Sequence, residues 1–511
     1  MAKLKELLCG LEYELISGDL SAEISDIVYD SRKTGPEMLF VCMKGSRVDS
    51  HAYIPEAFER GCRAFAVSEK EAVPEELMGA AAFIYCEDTR AALSLMSQAF
   101  FGYPARRLSL IGITGTKGKT TTAYMVKSIL EHAGFKTGII GTVGCEIGDE
   151  KYPTTNTTPE SYEIQKLLYT MAEKGCTHAV MECSSQGFKM RRLAGLRFDI
   201  GAFLNISPDH IGPDEHEDFE EYLSCKAMLF PASDKLIYNA CAEHIDDLFR
   251  ACGMEKSEER AISFGICRDK EALDISGDEP CYRASELSYI YEDNFSGMGF
   301  LLSGPGFRKY MRLSLPGEHN VSNALCAAAI CHELSVSEDV IGEALALIRV
   351  NGRLETVYSG GGIKVLIDYA HNEESMQSLI RTLRNYDPGR IVVVFGCGGN
   401  RSVERRTGMG HVAAEHADFT VMTSDNPRRE EPEAIIDDIE NAYLKAGGRK
   451  DAYVRICDRR EAIAFAMKNA KEGDLIAVIG KGHEEYQEIN GVRHHFSDRE
   501  EIEKIAGELT K

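Results

Sequence analysis

Short apolar runs bounded by polar, glycine-bearing turns recur along the chain, and between them lie segments whose apolar residues repeat every three or four positions. The plainest unit is an apolar strand at 108–114 that enters a glycine-rich turn and continues into a helix from Lys119 to about Ala133, with Gly134 as its C-cap. Strands at 137–141, 178–182, 200–205 and 235–238 follow, with a helix starting at Pro159. Such alternation predicts a parallel, doubly wound sheet whose ligands collect at the carboxyl ends of its strands. From about 260 to 315 the pattern becomes short and alternating, which predicts an antiparallel flap, and an alanine-rich helix at 320–334 closes the domain. Further strands are expected at 364–368, 390–395, 419–423 and 474–479. Ahead of all this, runs at 38–43 and 64–67 with a helix over 54–60 suggest a small α/β unit, joined by a turn at 101–104.

A chain of 511 residues exceeds one core, and about one domain per 150 residues gives three. The expectation is an α/β protein with domains at 1–105, 106–348 and 349–511. The central domain is a P-loop-type doubly wound parallel sheet, flanked by an N-terminal α/β domain and a C-terminal Rossmann-like α/β domain. A hydrophobic content of 44% with 27% charged residues is that of a soluble globular protein, and no run reaches the length of a membrane span. The first residues lack the apolar core of a signal peptide, so a cytoplasmic protein without membrane insertion is expected. The 16 cysteines form no C-x-x-C pair and are expected as reduced, packed thiols. A net charge of −23 argues against nucleic acid as a partner.

The chemistry gathers at strand ends. In the turn 115–121, Gly115 and Gly118 let successive N–H groups face a phosphate at a helix N-terminus, Lys119 reaches outer phosphates and Thr120 can hold magnesium. The turn is shorter than G-x-x-x-x-G-K-[ST], because Ile113 stands at the place of the first glycine. Glu182 ends a strand, where it either completes a magnesium site or is an ordinary strand-end carboxylate. Asp209-His210 offers a second metal-facing group or a satisfied loop histidine. Lys226, on an amphipathic helix, reads by position as a snorkelling surface lysine. Towards the C-terminus, four polar turns follow four strands: 368–371, 396–401, 424–428 and 480–484. Arg401 and Arg428 there face Asp425 and Glu484, a surface of both signs that suits a zwitterion such as a free amino acid. The N-terminal clusters Asp30-Ser31-Arg32 and 44–49 are either a binding loop or solvated turns.

Together these motifs resemble one family. Asp30-Ser-Arg32, Gly115-Thr-Lys-Gly-Lys-Thr-Thr121, Asn156-Thr-Thr-Pro159, Glu182-Cys-Ser-Ser185, Asn205-Ile-Ser-Pro-Asp-His210, the Tyr222 to Lys226 segment, His319-Asn320, Asn351-Gly-Arg353, Asp368-Tyr-Ala-His371, Asp425-Asn-Pro-Arg428 and Gly480-Lys-Gly-His-Glu484 occur in the order seen in the muramyl ligases of peptidoglycan synthesis. Within them the chain is most similar to the ligases that add the third amino acid to UDP-N-acetylmuramoyl-L-alanyl-D-glutamate. The resemblance implies an N-terminal domain for the UDP end of the substrate, a central ATPase domain, a C-terminal domain that brings the amino acid, and a monomer. It implies that Ser31 and Ser46 contact the uridine diphosphate, while Asn156, Thr157, Thr158, Ser184 and Arg192 hold the muramoyl dipeptide. ATP falls to Gly115, Thr116, Lys117, Gly118, Lys119, Thr120 and Thr121, with Asn320, Arg353 and Asp368. Lys119, Glu182, His210 and Lys226 become catalytic. Lys226 matches a lysine carbamylated by carbon dioxide, and magnesium would be held by Thr120, Glu182, His210 and that carbamate.

The amino-acid pocket falls to Arg401, Asp425, Asn426, Pro427, Arg428, Gly480 and Glu484. In this family an Asp-Asn-Pro-Arg sequence accompanies meso-diaminopimelate, whose far carboxylate a guanidinium binds at two points. L-Lysine or another diamino acid is the near alternative, and a folylpolyglutamate synthase type of sister ligase a further one. A nucleotide-dependent switch is the reading from another class. The chain departs from the family pattern at Ser402-Val-Glu-Arg-Arg-Thr407, where Asp-x-x-Lys-Arg-Pro is common, at Gln186, where histidine is frequent, at Met190, and at 209–216.

Overall fold

The computed structural model describes residues 1–45, 48–209, 211–212, 215–267, 281–292, 295–350 and 352–509. The chain divides into two compact units, the first made of 1–283, 303–307 and 325–341, the second of 284–302, 308–324 and 342–511.

In the first unit the apolar run before the glycine turn is strand Ser109–Thr114, buried from Leu110 onward. It lies between two parallel neighbours, His178–Glu182 on one side and Phe198–Phe203 on the other. Thr137–Gly141 continues the sheet beyond the first neighbour, and Ser233–Asn239 then Ala261–Ile266 continue it beyond the second, all parallel. The chain thus leaves its first strand in both directions, and the carboxyl end of Ser109–Thr114 sits where the winding reverses, the usual place for a ligand crevice. Beneath the sheet, Phe203, Phe230, Phe249 and Tyr238 pack edge to face with centroids 5.0 to 6.0 Å apart. Each such ring removed from water is worth about 1.5 to 3 kcal/mol. Helix Lys119–His132 ends as expected, with Gly134 at φ 88° and its N–H on the Glu131 carbonyl.

The N-terminal sheet has the order Glu14–Ser17, Ala82–Tyr85, Ala64–Val67, Met38–Val41 and Asp26–Val28, parallel except for the first strand. Phe40, Phe65 and Phe83 fill one of its faces. Within this unit the N-terminal part is tied to the segments around the central sheet: Tyr162 of helix Ser161–Glu173 donates to Asp26 at 2.6 Å, and Ser94 to the carbonyl of Ala194, in a turn, at 2.7 Å.

The second unit carries the sheet Glu355–Gly360, Ile363–Asp368, Asp474–Ile479, Arg390–Phe395, Phe419–Met422 and Tyr453–Arg455, in that order. All pairs are parallel except the first. Apolar clusters on both faces make it a doubly covered sheet, as continuous apolar strands such as Arg390–Phe395 require.

Three differences from expectation stand out. Residues Ala261–Ile266 belong to the parallel sheet, and among the described residues the next strands are Cys281–Glu292, Phe295–Gly304 and Phe307–Leu313. A six-residue apolar run at 261–266 has the same pattern in either setting. A helix at Glu338–Leu347 follows the alanine-rich helix Glu318–Glu333. A hairpin of Tyr486–Ile489 and Val492–His495 turns through Asn490-Gly491, both at positive φ, and was not anticipated. Among the described residues the cysteines are free thiols, and no helix is long and apolar enough to cross a membrane.

Candidate active site

The glycine turn of the first unit is bent at Gly115 (φ 155°) and Gly118 (φ 87°), the second of which caps helix Lys119–His132. Asn205 clamps the turn: its carbonyl accepts from Thr116 N–H at 3.0 Å, and its side chain bonds both the N–H and the carbonyl of Lys117 at 2.9 and 3.0 Å. Thr116 Oγ1 lies 2.9 Å from the Tyr222 hydroxyl, which ties the turn to helix Phe219–Ala227. Lys119 folds back over the turn, donating to the Gly115 carbonyl at 2.8 Å and the Thr116 carbonyl at 3.1 Å.

Glu182 stands beside it, 1% exposed. Its carboxylate accepts from Thr120 Oγ1 at 2.9 Å, Thr142 N–H at 2.9 Å and Thr142 Oγ1 at 3.2 Å. The space for that carboxylate exists because residue 141 is glycine, since a Cβ there would run into Glu182 Oε1. Every donor to it is neutral, and a buried anion without a cation is costly. A hard cation held by Thr120 and Glu182 fits this oxygen set.

Lys226 is a surface lysine only by its spacing. It is 2% exposed, its ammonium donates to the Gly115 carbonyl at 2.9 Å, and it lies 4.5 Å from the Tyr222 ring centroid. Burial first, and the Lys119 charge second, push its pKa well below the ordinary 10.5, with Asp209 opposing. The amine is therefore held towards its neutral, nucleophilic form.

Next to Glu182, Thr158 Oγ1 lies 2.9 Å from the Glu182 carbonyl and 2.9 Å from Ser184 Oγ, and the Ser184 N–H returns a bond to it. Thr157 and Thr142 hydroxyls are 3.0 Å apart. Arg192 grips Glu160 at 2.8 Å and the Thr158 carbonyl at 3.0 Å. Asn156 is exposed, its amide 3.5 Å from Thr155. Ser31 opens a short 3-10 turn capped by Asp30, which pairs with Arg32 at 2.8 Å.

In the second unit the strand-end turns enclose a cavity of about 100 Å³. Arg401, Arg405 and Arg428 line it together with Asp425, Asn426, Gly480, Glu484, Tyr369 and His371. Gly480 (φ 110°) lets the fourth turn approach the third, since a Cβ there would lie 2.5 Å from Asp425 Oδ2. Glu484 Oε2 accepts from Asn426 at 2.9 Å and from Lys481 at 3.0 Å, and Lys481 also donates to Asn426 Oδ1 at 3.2 Å. Burial raises the pKa of Asp425, opposed first by Lys481 and then by Arg459. Arg428, at φ 55°, donates through Nη1 to the Gly399 carbonyl at 2.6 Å and has Nε 3.9 Å from Glu488.

Family models match the chain at 23–101 (Mur ligase family, catalytic domain), 113–331 (Mur ligase middle domain) and 352–482 (Mur ligase, glutamate ligase domain). A UDP-N-acetylmuramoyl-L-alanyl-D-glutamate--2,6-diaminopimelate ligase of Clostridium tetani is 38% identical, covering 99% of this chain and 100% of the relative. The Clostridium perfringens protein of that name is 37% identical over 98% and 99%. The chain belongs to the Mur ligase family. A solved structure of a UDP-N-acetylmuramoyl-L-alanyl-D-glutamate--2,6-diaminopimelate ligase superposes with a TM-score of 0.71 at 26% identity, covering 100% of this chain and 99% of that one. The three-domain α/β fold and the ATP-dependent ligase class follow from this membership.

Of the residues expected in this Mur ligase site, Gly115, Thr116, Lys119, Thr120, Glu182 and Lys226 form one cluster, and Thr157, Thr158 and Ser184 adjoin it. Thr121 is buried in the helix and Lys117 points outward. Ser46, His210 and Asn351 lie outside the described residues. Asn320 is buried and bonds the Pro316 carbonyl at 2.8 Å, while Asp368 accepts from Leu354 and Ala370 N–H at 2.7 Å each, with Arg353 4.9 Å from the Tyr369 ring. Pro427 is buried between Asn426 and Arg428 in the third turn, whose bend falls at Asp425.

Sequence reasoning missed Lys481, although its turn was singled out, because a lysine between two glycines has no apolar spacing to mark it as buried. It missed Arg459, fully buried and paired with Asp498 at 2.7 and 2.8 Å, whose Nη2 also holds the Ile479 carbonyl at 2.9 Å. Nothing local links residues 459 and 498. Arg405 and His371 were also missed as pocket residues, though both stood in quoted segments.

Proposed function

We propose that this Mur ligase joins meso-2,6-diaminopimelate to UDP-N-acetylmuramoyl-L-alanyl-D-glutamate with ATP, forming ADP and phosphate in the cytoplasm. The observation that carries the choice of amino acid is the mixed-sign cavity of the second unit, in which arginines face Asp425 and Glu484. A diamino dicarboxylic acid presents both signs at each end. Lysine has no carboxylate at its far end to meet Arg428.

The chemistry follows from the first cluster. A side-chain carboxylate is a poor electrophile, so the γ-phosphoryl group passes to the D-glutamate carboxylate: the new P–O bond forms as the bond to the ADP oxygen breaks. Lys119 offsets charge on the outer phosphates, and the N–H groups of the turn hold them. Magnesium, when bound by Thr120 and Glu182, supplies further charge neutralisation at those phosphates. The Thr157, Thr158, Ser184 and Arg192 group positions the dipeptide carboxylate beside them. The free amine of diaminopimelate attacks the acyl carbon, the tetrahedral adduct expels phosphate, and the amide remains after the nitrogen loses its proton.

Lys226, held towards its neutral form, is set up to add to carbon dioxide. Its nitrogen bonds the carbon and releases a proton, turning a buried neutral amine into an anion. That carbamate would be an additional oxygen ligand for magnesium.

The test is a mass measurement of the product formed from ATP, the sugar-nucleotide dipeptide and diaminopimelate, lysine or ornithine supplied together. Incorporation of diaminopimelate is the expected result. Exclusive incorporation of lysine or ornithine overturns it.

A further inference from the structure

Two lysines are buried among the described residues, Lys226 and Lys481. The chemistry of the first cluster uses Lys226 and gives Lys481 no part. Lys481 is 0% exposed, and its ammonium has two acceptors, Glu484 Oε2 at 3.0 Å and Asn426 Oδ1 at 3.2 Å, with the Tyr486 ring centroid 5.3 Å away. Its turn is pressed from both sides. Gly480 (φ 110°) brings the chain against Asp425, and at Gly482 (φ 53°) a Cβ would lie 2.8 Å from the Gly352 carbonyl and 2.9 Å from Tyr369 Cβ. Asn426 and Glu484 line the cavity, and Lys481 stands behind them.

These hydrogen bonds fix direction as well as place. An ammonium and a backbone N–H only donate, and a carboxylate only accepts. Asn426 Oδ1 takes the Lys481 ammonium and, at 2.9 Å, the Glu488 N–H, so the amide nitrogen is the end turned to Glu484 Oε2, also at 2.9 Å. Lys481 and Asn426 thus converge on the same carboxylate oxygen, and among the described residues no group bonds Glu484 Oε1. One oxygen of Glu484 is committed to the scaffold and the other is left over. Lys481 is also the foremost cation opposing the effect of burial on Asp425, ahead of Arg459, so the same ammonium favours the ionised form of that second carboxyl group.

We propose that Lys481 is a positioning residue for the incoming amino acid: from behind the cavity wall it fixes the Asn426 amide and one oxygen of Glu484, so that the other oxygen meets a substrate ammonium group. This rests on the reading of the cavity as the amino-acid site. A carboxylate already held in place loses less freedom when a ligand binds than one that the ligand must first order. Lys481 touches no substrate atom, and its effect passes through Glu484.

The experiment is steady-state kinetics of the full chain with Lys481→Met, Glu484→Gln and the double variant, varying in turn ATP, the sugar-nucleotide dipeptide and the amino acid that the parent incorporates. Each single variant is expected to raise the KM for the amino acid by about 10- to 100-fold, the range for a charged hydrogen bond, with kcat and the other two KM values within about threefold of the parent. Once the Glu484 carboxylate is gone Lys481 should add little: the double variant is expected within about threefold of Glu484→Gln, where independent effects would multiply. Multiplied effects, or a Lys481→Met variant that raises all three KM values alike, overturn the proposal. If Lys481→Met does not fold, the double variant, which leaves neither charge of that pair unpartnered, carries the same comparison with Glu484→Gln. A Glu484→Gln variant with an unchanged KM for the amino acid overturns the reading of the cavity and this proposal with it. A raised KM in Glu484→Gln but not in Lys481→Met overturns the proposal alone.

Discussion

Lys119 and Lys226 donate to one acceptor, the carbonyl oxygen of Gly115, at 2.8 and 2.9 Å. Two ammonium groups sharing one carbonyl repel each other, and the buried one yields: Lys226 is held towards neutrality by burial and by Lys119. The arrangement leaves one of the two amines, that of Lys226, held towards neutrality beside Lys119.

Depleting carbon dioxide from buffer and protein is expected to lower turnover strongly, with recovery on adding bicarbonate. Lys226→Ala should lose about 100-fold or more in kcat and ignore bicarbonate. Full activity of the parent in rigorously carbon dioxide-free buffer would remove the carbamate from the account.

The same group makes a stability prediction. Between its depressed folded pKa and the ordinary 10.5, the unfolded chain carries a proton on Lys226 that the folded chain lacks, so stability rises with pH across that window. In carbon dioxide-free buffer, Lys226→Met should raise the melting temperature, most at the lower end of the window, and flatten its rise with pH. A parallel shift at every pH would contradict the burial argument.

Glu182 meets only neutral donors, so its charge is available to a cation. Glu182→Gln is expected to cut kcat by about 100-fold and to raise the magnesium concentration needed for half-maximal rate. Unaltered magnesium dependence would exclude Glu182 as a ligand.

Arg428→Ala should weaken the use of diaminopimelate by about 1.5 to 3 kcal/mol, the worth of a charged hydrogen bond, and leave the KM for ATP almost unchanged. The ratio of diaminopimelate to lysine turnover should fall with it. Equal loss for both amino acids would move the distal carboxylate to another residue.

Arg459 and Asp498 form a fully buried pair under the fourth turn. Removing one partner leaves an uncompensated buried charge, so Arg459→Met should destabilise the protein by about 3 to 5 kcal/mol. Arg459→Met with Asp498→Leu should cost less than Arg459→Met alone, by chemical denaturation.

The sequence made most of the sheets legible because parallel strands covered on both faces are continuous apolar runs: 178–182, 390–395 and 474–479 coincide with the observed strands. It made the strand, glycine turn and helix legible as a unit, since Ser109–Thr114 and Lys119–His132 stand on either side of Gly115 and Gly118. Edge strands escaped notice, as Glu14–Ser17 and Tyr453–Arg455 are half polar and too short for periodicity. The burial of Lys226 was not written in its helix at all. It follows from Tyr222 and the Gly115 turn closing over the ammonium, a tertiary arrangement, and the family resemblance alone marked the residue. Lys481 and Arg459 were hidden for the same reason, since their partners stand on other turns and helices.

The most direct test of the account is a complete balance of one turnover. Purified protein, ATP, magnesium, UDP-N-acetylmuramoyl-L-alanyl-D-glutamate and meso-diaminopimelate should yield the tripeptide nucleotide with ADP and phosphate in equal amounts, and no ATP loss when either acceptor is omitted. Release of AMP and pyrophosphate, or steady ATP hydrolysis without both acceptors, would contradict it.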